Sequence, residues 1–285
     1  MGLRDDATQA TGQVEQRPLT AVEQMRRMVP EFEAALPRRG SVEATQLVRD
    51  LMTCMRRVKY LDQCEPFSVL GAMMTGAQLG LRPGVLGHWW PVPFRNGKTG
   101  RYEATFVIGY QGLIELAYRS GLVTAINVDI AYENDPVFDV QLGTDRAILH
   151  RPLLNGDRGA PIAYYATARI KGGTDPVFDF MSLDAVLAHR GRYAKKTSNG
   201  AFIGPWGNPP GTNEFDGMAL KTVVKRGMRT LPKSVETATA IEADGGVRVD
   251  VTPHADPVEA TVRIDDGDPA DEYDPTTEEG FGDQS

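Results

Sequence analysis

The sequence contains little cysteine and no long hydrophobic run. Its two cysteines, Cys54 and Cys64, are ten residues apart without a nearby histidine, which fits neither a zinc site nor a disulfide framework. We interpret them as free buried thiols. The apolar runs are shorter than the ~20 residues of a membrane-spanning helix, and the N-terminus lacks the apolar stretch of a signal peptide. These absences predict a cytoplasmic protein without membrane contact.

Recognisable catalytic and cofactor motifs are also missing from the sequence. None of the four histidines stands at metal-ligand spacing from another His, Cys or carboxylate. Gly97-Lys98-Thr99 looks like the end of a phosphate-binding P-loop, but Val92 occupies the position of the required first glycine. Pro91 and Pro93 also lack the backbone N–H groups that such a loop needs. The sequence therefore predicts no cofactor and no ATP site.

The charge of the chain is divided unevenly along its length. The 285 residues include 31 basic and 38 acidic residues, a formal charge of −7. Residues 236–285 hold 15 acidic and 2 basic residues (−13), so residues 1–235 carry 23 acidic and 29 basic residues (+6). The composition predicts a flexible arm over 1–18, a basic core over 19–235 and an acidic tail, mostly disordered, over 236–285.

The order of patterns in the core predicts an α+β fold, with a mostly antiparallel sheet packed with helices and an N-terminal helical segment. Helical spacing begins after Thr20, Ser41 and Pro66, with Pro30 interrupting the first helix. Further helices are predicted at 111–119, from 182 to about 189, and at about 213–231. Strands are predicted at 87–94, 102–108, 123–131, 136–141, 162–170 and 176–181.

The strongest functional signal is a basic constellation between residues 189 and 233. It contains nine Lys or Arg residues against only Glu214 and Asp216. On the predicted last helix, Lys221, Lys225, Arg229 and Lys233 recur at four-residue steps without acidic partners at i±4. Such a stripe is either a solvated helix face or a row of phosphate contacts. The loop before this helix contains Trp206, which we interpret either as a base-stacking residue or as a hydrophobic anchor of the loop.

Several motifs together resemble the RecT family of phage single-strand annealing proteins, functional relatives of Red beta. The resemblance covers residues 20–235 and is most specific in IGYQGLIELAYRSG and in the closing Met-x-x-Lys-Thr-x-x-x-Arg helix. The matching segments, in family order, are GAMMTGAQLGLRPGV (71–85), GHWWPVPFR (87–95), VIGYQGLIELAYRSGL (107–122), His150-Arg-Pro, and Trp206 followed by FDGMALKTVVKRGMRTLPK (215–233).

The resemblance implies an ATP-independent protein that binds single-stranded DNA and anneals complementary strands in phage recombination, acting in the cytoplasm of the bacterial host. It also implies a homo-oligomer, either a ring or a helical filament, and no covalent chemistry. The implied partners are single-stranded DNA, the annealed duplex intermediate, a phage exonuclease and the host single-strand-binding protein.

Charge and motif position then suggest individual DNA contacts. The first group comprises basic residues of the helix and its preceding loop: Arg190, Arg192, Lys195, Lys196, Lys221, Lys225, Arg226 and Arg229. Lys98, Arg101 and Arg119 form the predicted other wall of a groove. Tyr110 and Gln111 lie in the IGYQG turn at a helix start and are predicted to approach the DNA backbone or a base, since helix starts favour anions.

Two other classes of function remain open from the sequence. The first is an RNA- or DNA-binding accessory protein that coats single strands without annealing them. The second is an enzyme whose site is assembled by folding from distant acids such as Asp129, Glu133 and Asp135.

Overall fold

The structure, a computed structural model, describes residues 21–38, 42–173, 176–197, 199–232, 234–259 and 261–263. Its helices are α1 (Ala21–Arg27), α2 (Val29–Ala35), α3 (Ala44–Arg57), α4 (Pro66–Gln78), α5 (Tyr110–Arg119), α6 (Leu183–Tyr193), α7 (Asn213–Gly227) and α8 (Val235–Ala243). Its strands are β1 (Trp89–Arg95), β2 (Tyr102–Ile108), β3 (Val123–Tyr132), β4 (Val137–Gln141), β5 (Ala147–Arg151), β6 (Pro161–Ile170), β7 (Val177–Ser182), β8 (Gly246–Arg248) and β9 (Thr261–Arg263). The predicted α+β class is confirmed.

The N-terminal helices pack around α4, whose residues from Ser68 to Ala77 are all buried. Pro30 lies in the first turn of α2, so it separates two short helices as its position in the sequence predicts. Helix α3 buries Leu47, Leu51 and Cys54, because apolar residues three and four positions apart share one face. The predicted caps Thr20 and Ser41, and the predicted arm 1–18, lie outside the described residues.

The first two predicted strands form a hairpin, with Lys98 and Arg101 in the connection between them. Strands β1 and β2 pair antiparallel from Trp89↔Ile108 to Arg95↔Tyr102, and β8 and β9 extend the sheet in the order β1-β2-β8-β9. Trp89 is fully buried while Trp90 is half-buried, because successive side chains of a strand point to opposite faces. The short connection between the strands leaves the tip of the hairpin exposed.

A second sheet supports the helices that carry most of the basic residues. Its strands are antiparallel in the order β3-β6-β7, and both α6 and α7 pack against β6 and β7. Each helix has a hydroxyl N-cap: Ser182 accepts a hydrogen bond from the Ala185 N–H, and Thr212 accepts one from the Phe215 N–H. The separate β4–β5 hairpin includes a strand, β5, that the sequence did not predict.

The structure corrects the predicted C-terminal boundaries. Helix α7 ends at Gly227 rather than near Leu231, so Arg229 follows the helix. The prediction of disorder from residue 236 is wrong for the part of the tail that is described. There, α8 buries Thr237, Ala240 and Ala243, and β8 pairs with β2. These small side chains, one every three positions, are enough to pack the helix against α5 and β2, although the composition of the segment is typical of disorder. Residues 264–285 lie outside the described residues.

Candidate nucleic-acid interface

Basic side chains from α6 and α7 converge around His189. The pKa of His189 is lowered, first by burial of the ring and then by the positive charges of Arg226, Arg192 and Lys225. Arg192 lies on the last turn of α6, while Lys225 and Arg226 lie on the last turn of α7. The two helices therefore present cations to a common region, although their sequence positions are more than thirty residues apart.

The loop after α6 is fixed to α7 through Arg190, in the last turn of α6, and through the loop's own tryptophan. The Arg190 guanidinium lies 4.4 Å from the Phe202 ring centroid and 5.5 Å from that of Phe215. Trp206 is 8% exposed and packs edge-on against Phe215 at 5.2 Å. Such a buried indole offers no free face to a nucleobase. Of the two interpretations of Trp206, the structure supports the hydrophobic anchor, and we withdraw both Arg190 and Trp206 from the proposed DNA contacts.

The same loop contacts the β1–β2 hairpin. The Lys195 ammonium lies 4.5 Å from the Phe94 ring centroid, and Lys196 lies 4.7 Å from the Phe202 ring centroid. Phe94 is near the end of β1, so the contact brings the loop beside the hairpin that carries Lys98 and Arg101. This arrangement supports the hypothesis of two basic walls. Lys98 is exposed at the tip, whereas Arg101 forms an exposed ion pair with Glu65 at 2.6 Å.

Two lysines of the predicted stripe on α7 have an acidic partner that the sequence reasoning missed. Lys221 lies 3.0 Å and Lys225 lies 2.5 Å from the carboxylate of Asp244, which also accepts a hydrogen bond from the Ile108 N–H. The exposed fractions of the side chains are 12% for Lys221, 35% for Lys225 and 8% for Asp244. Lys221 is thus almost enclosed, and the stripe is not an open row of cations.

The two lysines keep the Asp244 carboxyl ionised. Burial by itself raises the pKa of the Asp244 carboxyl, but Lys221 and Lys225 outweigh it and lower the pKa below its ordinary value. The carboxylate therefore remains ionised at neutral pH and neutralises part of the charge of α7. Its sequence position gave no signal, because it is 19 residues from Lys225 and belongs to the predicted acidic tail.

The other cations of the stripe differ in their surroundings. Arg226 pairs with Asp179 of β7 at 3.2 Å but keeps 43% of its side chain exposed. Arg229 is exposed beyond the end of α7, and Lys233 lies outside the described residues. The regular four-residue spacing therefore does not continue as a helical row.

Apart from Lys195, the predicted cationic contacts thus fall into three groups. Among the described residues, no carboxylate lies at ion-pair distance from the side chains of four exposed residues, here called the open cations: Lys98, Arg192, Lys196 and Arg229. The committed cations instead hold protein groups in place: Arg119, Arg190 and Lys221. Lys225, Arg226 and Arg101 are intermediate, because each has a carboxylate partner and a side chain at least one third exposed.

Arg119 belongs to the committed group because it binds the end of α4. Its guanidinium donates to the carbonyl oxygens of Leu79 and Gly80 at 2.6 and 3.1 Å, and it pairs with Glu115 at 3.2 Å. A cation at this position satisfies carbonyl groups that have no partner within the helix. The structure therefore gives Arg119 a capping role instead of a place in the groove.

The start of α5 is held against the turn before β1 by two glycines of the IGYQG segment. A Cβ atom at Gly109 would lie 2.0 Å from the Gly87 carbonyl oxygen, and one at Gly112 would lie 2.2 Å from that of His88. Only glycine allows this approach. Tyr110 is half-buried, while the neighbouring Gln111 is exposed. The structure therefore places both predicted residues beside this turn, and only Gln111 has a freely exposed side chain.

The acids proposed for an enzyme site do not form a metal-ligand cluster. Asp135 is fully buried and binds the Arg158 guanidinium at 2.7 Å and His150 Nε2 at 2.9 Å. The Arg158 hydrogen bonds are the main reason why the pKa of Asp135 lies far below its ordinary value. No group of three or more His, Cys, Asp or Glu residues in the described parts of the chain is arranged to hold a metal ion. The network instead gives His150 of the His150-Arg-Pro motif a structural role, since it ties β5 to the turn after β3.

An exposed set of open cations on an α+β scaffold defines a protein suited to binding a polyanion. The family model described as RecT family matches residues 45–256. The chain is 34% identical over 222 residues to Protein RecT of Escherichia coli (strain K12), covering 76% of each chain. It is 26% identical over 239 residues to the uncharacterized protein YqaK of Bacillus subtilis (strain 168), covering 80% of this chain and 73% of the relative.

The chain therefore belongs to the RecT family, as its motifs predicted. Family membership supports a recombination-related single-strand annealing protein that binds single-stranded DNA. The match continues to residue 256, so it includes the α8–β8 segment that the composition had assigned to the tail. No helix within the described ranges is long and apolar enough to cross a membrane.

Proposed function

We propose that this protein binds the backbone of single-stranded DNA between the α6–α7 region and the β1–β2 hairpin, and that it anneals complementary strands without ATP. The observation that carries the proposal is the Lys195–Phe94 contact, which places the loop after α6, with the open cation Lys196, beside the hairpin that carries Lys98. Unpaired cations can exchange their counterions for DNA phosphates, whereas a cation already held by a buried carboxylate must first lose that partner.

The proposed contacts follow the exposure of each side chain. Lys98, Arg192, Lys196 and Arg229 make the principal phosphate contacts, together with Lys195 beside Phe94. The intermediate residues Arg101, Lys225 and Arg226 contribute through their exposed parts. Gln111 remains a proposed contact at the start of α5, whereas the half-buried Tyr110 is a weaker candidate.

Annealing requires no transfer of a chemical group. The protein neutralises the phosphates of two strands and keeps their bases accessible, and Watson–Crick pairing then supplies both the sequence recognition and the driving force. The proposal therefore places no catalytic residue in the site. Phosphate contacts of this kind position a strand without reading its sequence, as a general annealing protein requires.

We further propose that copies of the chain assemble on DNA as a ring or helical filament, in the cytoplasm of a phage-infected bacterium. A phage exonuclease would supply the single strands, and the host single-strand-binding protein would be present on the same DNA. These proposals rest on family membership.

The direct test is a fluorescence assay with two complementary oligonucleotides, one carrying the donor and the other the acceptor, in buffer without nucleotide. The protein should accelerate pairing above the protein-free rate and should give no signal with a non-complementary pair. Slower pairing would contradict annealing and identify the alternative, a passive coat that occupies the strands. Shortened labelled oligonucleotides on a denaturing gel would contradict the proposal in favour of a nuclease.

A further inference from the structure

We propose that Tyr193 is a stacking platform for a nucleobase of the bound strand. The inference rests on the proposed function and adds a base contact to a site otherwise defined by phosphate contacts. Tyr193 is the last residue of α6 and is 71% exposed. It stands between Arg192 and Lys195 in the sequence, so an accessible aromatic ring lies among the cations of the interface.

The ring of Tyr193 is supported from the protein side. It lies 4.6 Å from the His189 ring, one helical turn earlier, with an interplanar angle of 41°. The His189 ring in turn lies 6.3 Å from the ring of the buried Trp206. The three rings form a column from the core to the surface. Because His189 holds the tyrosine ring in place before DNA arrives, stacking a base on it orders few additional side-chain rotamers.

The charges around this column suit the rest of the nucleotide. Arg192 is adjacent to the tyrosine, and Lys225 and Arg226 lie near enough to lower the pKa of His189 after the larger effect of burial. Phosphates can therefore be bound beside a base that stacks on the ring. An aromatic platform within a basic groove is the arrangement that binds single strands without sequence preference, since every base has a π-face.

Other exposed aromatic side chains do not share these surroundings. Phe67 is 63% exposed and lies in the first turn of α4, a helix that packs mainly against β2 and the N-terminal helices. Tyr118 is 43% exposed on α5, and its hydroxyl accepts a hydrogen bond from the Ile126 N–H. Tyr193 is thus the exposed ring that the described structure places directly among the cations of α6 and the following loop.

The test compares wild type, Tyr193→Ala and Tyr193→Phe on two oligonucleotides of equal length, oligo(dT) and a fully abasic strand with the same phosphates. Tyr193→Ala should weaken binding to oligo(dT) roughly 10-fold, with an unchanged salt slope, because stacking is lost and phosphate contacts remain. The same variant should bind the abasic strand like wild type. Tyr193→Phe should retain wild-type affinity for both, because the ring is preserved.

Equal weakening on both oligonucleotides, or no weakening on oligo(dT), would overturn the stacking role. Circular dichroism and thermal unfolding should show that Tyr193→Ala folds normally, as expected for a side chain that is 71% exposed. Failure of the wild-type protein to bind either strand would instead refute the proposed function. The two failures are therefore distinguishable within one experiment.

Discussion

The end of α6 with the loop after it, and the side of α7 that faces Asp244, both carry cations but place them in different surroundings. Lys221 and Lys225 share the buried carboxylate of Asp244, while Arg192 and Lys196 extend into solvent. The regular spacing on α7 made it the more persuasive DNA-binding element in the sequence. The difference shows that charge spacing along one helix cannot reveal a partner supplied by a distant segment.

The same contrast exists between two aromatic rings, the exposed Tyr193 at the end of α6 and the buried Trp206 in the following loop. Trp206→Ala should destabilise the protein by about 3–5 kcal/mol, because it removes a core indole that packs against Phe215. Tyr193→Ala should change stability by less than about 0.5 kcal/mol. Urea unfolding followed by circular dichroism measures both values. If the two variants had similar free energies of unfolding, Trp206 could not be described as a buried anchor in contrast to an exposed Tyr193.

The next largest change in stability is expected from the ion cluster that Asp244 forms with Lys221 and Lys225 of α7. Asp244→Ala should destabilise the protein by about 3 kcal/mol, because Lys221 and Lys225 would lose the carboxylate that they share. The matched control is Glu242→Ala, which removes an exposed acid of α8 two residues before Asp244 and should cost less than about 0.5 kcal/mol. If the two variants proved equally stable in urea, Lys221 and Lys225 would have to be regarded as available to DNA.

The smallest expected change in stability concerns His189. Its ring lies near cations of both α6 and α7, so its pKa depends on both regions. Its folded pKa is below the unfolded value of about 6.5, so the unfolded chain binds the proton more readily. The contribution of the neutral ring to stability is therefore present above about pH 6.5 and is lost as the pH falls toward the folded pKa. His189→Gln should reduce this loss of stability below pH 6.5, as measured by urea unfolding across the pH range.

Bound DNA should act on the same residue in the opposite direction. Phosphates would offset the positive field of Arg192 and Arg226, so oligo(dT) should raise the pKa of His189 in an NMR titration. If saturating oligo(dT) left the pKa of His189 unchanged, the strand would have to bind away from the α6–α7 region.

Most of the fold could be predicted from the sequence because the local signals agree with it. Pro30 and Pro66 mark helix boundaries, and Asn96-Gly97 and Gly100 supply the turn residues of the hairpin. The short α8 was missed because its apolar residues are small and few. The end of α7 was placed too late because Pro232 was taken as the stop, whereas the helix already ends at Gly227.

The candidate site was predicted less completely than the fold. The tip of the hairpin is exposed as predicted, but the roles of individual residues depend on tertiary contacts. Trp206 and Tyr193 are both aromatic residues near the basic run, and only burial distinguishes anchor from platform. Arg119 likewise resembles a surface cation in the sequence, because the carbonyl groups that it caps lie 39 and 40 residues earlier.

The distinction between open and committed cations is tested most directly by the salt dependence of oligo(dT) binding, measured for Lys196→Met and for Lys221→Met. The variants remove the same charge, one from an open cation and one from a committed cation. Lys196→Met should reduce the magnitude of the slope of log K against log salt by about 0.7, the value for one phosphate contact on a single strand, whereas Lys221→Met should leave it unchanged. A reduced slope for Lys221→Met together with a wild-type slope for Lys196→Met would contradict the account.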